Sequence, residues 1–84
     1  MTVQQWYADN MLIEGQKVYE TVSGFWVFVK PNSDGTFRIA TNDAEVRGYV
    51  RSHKLEALTT FAIAALALES LAEVFVLTEV KPEV

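Results

Sequence analysis

The chain has 84 residues, 50% of them hydrophobic and 21% charged, with a formal net charge of −4. That balance excludes a mainly disordered chain, and the length fits a single small domain, 1–84. With no cysteine, disulfide staples and thiolate chemistry are excluded, and a reducing cytoplasm is the expected location.

The opening residues, Met1 to Trp6, lack the basic-then-apolar order of a secretory leader. The longest apolar run is Phe61 to Leu68, far short of the roughly 20 residues that span a membrane. A soluble chain with no membrane partner is expected. Acids and bases balance over residues 1–54, whereas residues 55–84 hold Glu56, Glu69, Glu73, Glu79 and Glu83 against Lys81 alone. The acidity therefore belongs to the C-terminal third.

In chain order, Thr2 can cap a short N-terminal helix, with Gln5 at the capping-box position. Val3, Trp6 and Met11 would face inward, and Gly15 would stop the helix. From Gln16 the apolar period changes to two. Segments 16–22 and 25–30 flank Ser23-Gly24, which suits a two-residue hairpin. Residues 31–35, Pro-Asn-Ser-Asp-Gly, then turn the chain into a third strand, 36–41. Asn42 can cap a helix in which Val46, Tyr49, Val50 and His53 share one face. A second helix is expected over 54–72, with its continuity with the first left open at Ser52-His53. A fourth strand is expected over Val74–Val80, with a frayed helix end as the alternative.

The predicted fold is α+β: a three- or four-stranded, mainly antiparallel sheet with two C-terminal helices, in the order α-β-β-β-α-α-β. Pairing across Ser23-Gly24 puts Tyr19, Thr21, Trp26 and Phe28 on one sheet face, flanked by Lys17 and Lys30. Val18, Glu20, Val22, Phe25, Val27 and Val29 then fall on the other. A regular second turn adds Phe37 and Ile39 to the aromatic face, whereas a bulge at Gly35 swaps them with Arg38 and Ala40. The aromatic face is the expected core, because its large side chains gain most from burial. The strand 25–29 is apolar on both faces, so the valine face needs cover of its own.

No chemistry-bearing motif stands out. His53 is the single histidine, and four His or Cys ligands are what a structural zinc site needs. Ser52 and His53 are adjacent, which on a helix points them about 100° apart. Neither a nucleophile-elbow motif nor a phosphate-cradling glycine loop is present. No enzyme activity, metal or cofactor is expected.

Binding is expected instead. A helix apolar all round is one buried all round, so Phe61, Ala62, Ala64, Ala65 and Leu68 are candidates for self-association in a homodimer. Glu69, Glu73, Glu79 and Glu83 form a candidate acidic surface for a basic partner protein. The expected function is a non-enzymatic protein-interaction module that occludes or bridges its partner. In being small, acidic, cysteine-free and motif-free it resembles, in composition alone, some phage-encoded inhibitors of host proteins, anti-CRISPR proteins included. The alternative is a small nucleic-acid-binding domain that uses Arg47, Arg51 and Lys54 along one helix, together with Lys17, Lys30 and the sheet aromatics.

Overall fold

The computed structural model describes residues 17–80. The predicted N-terminal helix and Glu83 lie outside the described residues. The elements are β1 (Val18–Glu20), β2 (Trp26–Pro31), β3 (Phe37–Thr41), α1 (Ala44–Ser52), α2 (Phe61–Val74) and β4 (Thr78–Val80). The strands form one antiparallel sheet in the order β3-β2-β1-β4. The fold is α+β, as expected.

Both hairpins turn through three residues, so the first loop is one residue longer than the expected Ser23-Gly24 and the second is shorter than the expected 31–35. In the first, the Thr21 amide donates to the Phe25 carbonyl at 2.8 Å and the Gly24 amide to the Thr21 carbonyl at 2.9 Å. The Thr21 hydroxyl also accepts from the Phe25 amide at 3.1 Å. In the second, the Asn32 amide donates to the Thr36 carbonyl at 2.8 Å and the Gly35 amide to the Asn32 carbonyl at 3.4 Å. Gly24 and Gly35 close the two loops, each at φ +88°, a conformation side chains disfavour.

The extra loop residue overturns the expected register. Val18 lies opposite Phe28, and Tyr19 opposite Val27. A one-residue slip moves every side chain of a strand to the other face. Tyr19 therefore joins Val27 and Val29, while Val18 and Glu20 join Trp26 and Phe28. The second loop pairs Val29 with Ile39 and Val27 with Thr41. Phe37 and Ile39 thus take the valine face, the arrangement expected of a bulge at Gly35.

The core also lies opposite to expectation. Both helices contribute to the cluster built on the valine face: Val27, Val29 and Ile39 with Val46, Val50, Ala64, Leu68 and Leu71, all buried. The aromatic face loses Tyr19, Phe37 and Ile39 to it through the two turns. Val18 and Phe28 are nevertheless 0% and 4% exposed, in a second cluster with Trp26, Ala40 and Val80. Strand β2 is buried on both faces along Val27, Phe28 and Val29, which is what its unbroken apolar run demands.

Helix α1 is capped by Asp43, whose carboxylate accepts from the Val46 amide at 2.9 Å. The predicted cap, Asn42, instead accepts from the Trp26 amide at 2.9 Å and ties α1 to β2. Helix α2 starts at Phe61, capped by the Thr60 hydroxyl on the Ile63 amide at 3.1 Å, seven residues later than expected. The two helices are separate. Leu55 and Leu58 do pack on the core, which is why they kept the helical period. They do so from a loop that bonds to β3, with the Phe37 amide on the Leu58 carbonyl (2.8 Å) and the Ile39 amide on the Leu55 carbonyl (3.0 Å). This loop covers part of an otherwise open sheet edge.

Helix α1 ends in a Schellman motif, with Lys54 also donating to Arg51 at 3.2 Å, and α2 ends with the 6→1 bond of that motif. Leu55 donates to Val50 and Leu77 to Ala72, both at 2.9 Å. The residues spanned, Lys54 (φ 56°) and Val76 (φ 52°), are left-handed although neither is glycine. Helix α2 runs on to Val74, so the fourth strand starts only at Thr78 and covers Thr78–Val80 among the described residues.

Candidate functional site

Two surfaces gather chemistry. The first is the outer side of α2. At 100° per residue, Ile63, Leu66, Ser70 and Val74 fall within about 80° of one another around the helix. Ile63 is 47% exposed, Leu66 65% and Val74 56%, and Val76 just past the helix end is 71% exposed. Ala62, Glu69 and Glu73, also exposed, follow along one flank of this stripe. The helix is apolar all round over residues 61–68, but only one side of it is buried in the chain.

The residues expected to form a self-association seam divide accordingly. Ala64 and Leu68 are buried within the chain's own core, and Phe61 packs against it. Ala65 is half-buried. It lines a small cleft with Lys17, Tyr19 and Glu69. Ala62 alone of the five is exposed. The apolar side chains open to a partner are instead Ile63, Leu66 and Val74. Sequence periodicity could not single them out, because a run without polar residues carries no phase.

Of the predicted acidic surface, Glu69, Glu73 and Glu79 are exposed. Glu69 meets Lys17 at 3.9 Å, both about half exposed, a separation at which a surface pair contributes little. Glu79 lies on β4 opposite Tyr19, on the helix side of the sheet.

The second surface is a cleft of about 390 Å³ that passes over β3 to α1 and is lined by Trp26, Lys30, Arg38, Arg47, Arg51 and Glu56, among others. It brings together three of the five cations proposed for nucleic acid: Lys30, Arg47 and Arg51. Lys54 and Lys17 are not part of it. Arg38 is the residue that sequence reasoning missed, because a regular second turn would have sent it to the opposite face. The signal was the glycine at position 35.

Two of the cleft's cations are fixed by neutral groups. The Arg38 guanidinium donates to Asn32 Oδ1 at 2.5 Å and to the Pro31 carbonyl at 3.3 Å. Arg47 donates to the Thr41 carbonyl at 3.1 Å. The aromatic platform expected beside them is not open, since Tyr19 lies on the helix side and Phe28 is buried. Trp26 is half-buried, with its ring 5.1 Å from that of Phe28.

Ser52 and His53 approach more closely than helical neighbours should. Ser52 Oγ lies 3.0 Å from His53 Nδ1, and both atoms are 3.0 Å from the Tyr49 carbonyl. His53 is the C-cap, with φ −100° and ψ 7°, so the ring leaves the helical direction and stacks on Tyr49 at 3.8 Å. Both polar groups serve a carbonyl of the last helical turn. No family model, curated protein or solved structure matches this chain.

Proposed function

We propose that the protein is a non-enzymatic interaction module that docks a partner protein on the outer side of α2. One observation carries this reading. Ile63, Leu66 and Val74 stand exposed in line on a helix whose opposite side already closes the core. An exposed apolar stripe on a small domain is the usual mark of an interface, and an amphipathic helix laid into a groove is a common mode of recognition.

The partner's chemistry follows from the flank. Glu69 and Glu73 border the stripe, and Lys17 is the one cation paired with them among the described residues. In an antiparallel pair with a second copy of the chain, the two glutamate flanks would share one rim, where like charges repel. An apolar groove rimmed by lysine or arginine fits better. Such a groove is typical of nucleic-acid-binding surfaces, and a helix seated there occludes it, as an inhibitor of a host defence protein would. Charged rims also speed association, so binding should weaken as salt rises.

The test compares immobilised wild-type protein with Leu66→Asp and Lys54→Gln in an extract of the native host. A partner retained by wild type and Lys54→Gln but lost from folded Leu66→Asp supports the reading. Equal retention by all three contradicts it.

A further inference from the structure

The cationic cleft has no part in docking at α2. Four of its side chains, Lys30, Arg38, Arg47 and Arg51, carry positive charge, and Glu56 is the one carboxylate in the lining. This concentration sits in a chain of net charge −4. Among the described residues the one ion pair is Lys17–Glu69, and it lies elsewhere. Like charges held close repel one another and weaken the fold, and an anion in the cleft relieves that cost.

The side chains are also ordered for recognition. Arg38 and Arg47 spend donors on carbonyl and amide oxygens, which orient the guanidinium without neutralising it. The remaining N–H groups stay available in a planar fork suited to two oxygens of one anion. Cleft size narrows the choice. About 390 Å³ falls within the roughly 300–1,000 Å³ of small-ligand sites. An extended acidic peptide spreads its carboxylates one to a residue and neutralises four clustered cations poorly. A phosphate ester brings several oxygens and more than one charge into a single compact group.

We propose that this cleft is a phosphate-binding site, filled either by a free nucleotide or by the backbone of a single nucleic-acid strand. Arg38 and Arg51 grip the phosphate from opposite sides of the cleft, the sheet and α1. Lys30 and Arg47 supply the surrounding field.

The test uses the full chain at low salt with three probes: ADP, a fluorescein-labelled ten-residue oligothymidylate, and a labelled polyglutamate peptide of equal length. Binding of ADP alone identifies a nucleotide site. Binding of the oligonucleotide, with affinity falling as salt rises, identifies a strand site. Either supports the proposal when Arg51→Gln, at an exposed position, lowers affinity by about fivefold or more. Lys54→Gln, outside the cleft, should leave affinity unchanged. Arg38→Gln serves as a second variant, with circular dichroism to confirm folding. No binding of either phosphate probe overturns the proposal. So does binding of polyglutamate alone, or a loss of affinity as large for Lys54→Gln as for Arg51→Gln.

Discussion

Gly24 and Gly35 hold the same place in two successive hairpins, each the last loop residue and each at φ +88°. Together they decide which side chains of the sheet face the helices. A β-carbon at either position would meet nothing within 4 Å, so the demand is conformational rather than steric. Gly24→Ala and Gly35→Ala should each cost about 1–2 kcal/mol, measured by urea denaturation. Asn, which tolerates the left-handed region, should cost less at either site.

This also explains what the sequence left illegible. Alternation in 16–30 and the punctuation at Ser23-Gly24 and Asp34-Gly35 announced three antiparallel strands. They did not distinguish a two-residue from a three-residue loop, and that difference reverses a face. The face of Arg38 therefore stays open between the two turns, and Tyr19 is placed on a face it does not occupy. The long helix was read from Leu55 and Leu58, which reach the core from a loop. Its true start, at the Thr60 cap, resembles any other threonine in the sequence. Asp34-Gly35 is compatible with both loop lengths, so Gly35 signals the bulged alternative without deciding it.

Val76 holds a left-handed conformation that a β-branched residue strongly disfavours. Val76→Gly should stabilise the fold by about 1 kcal/mol, seen as a higher urea midpoint at unchanged slope. Val76→Thr keeps the branched β-carbon and should bring no gain. Because Val76 is also exposed beside the proposed docking stripe, Val76→Gly should weaken partner capture while it raises stability, a common exchange at functional surfaces.

Gly48 lies in the middle of α1, where a β-carbon would meet nothing within 4 Å. Gly48→Ala is expected to add about 0.5–1 kcal/mol. For a domain of this size that corresponds to roughly 2–8 °C in Tm, measurable by calorimetry. An unchanged or lowered Tm would mean that the position is constrained by something other than helix propensity.

The Thr36 hydroxyl, and after it the Thr36 amide, hold the Asp34 carboxyl below the ordinary 3.8 by donating hydrogen bonds to it. With the folded pKa below the unfolded one, this contribution to stability is present above about 3.8 and is lost as the pH falls through the folded value. An NMR titration of the Asp34 carboxyl carbon should show a midpoint below that of a free carboxylate. In Thr36→Val the hydroxyl bond is gone, and the midpoint should rise toward 3.8. An identical midpoint in both proteins would contradict the assignment.

The central claim is that the outer side of α2 receives another protein. A photo-crosslinking amino acid in place of Leu66, activated in an extract of the native host, tests it most directly, with the same amino acid in place of exposed Ser52 as the control. A discrete adduct is predicted from position 66 and not from position 52. Its mass should exceed the 9.4 kDa of the chain by that of a different protein, and salt should reduce its yield. An adduct of about twice the chain mass would contradict a basic-rimmed partner and assign the face to a second copy. Failure to form any adduct above the position-52 control would contradict the docking face itself.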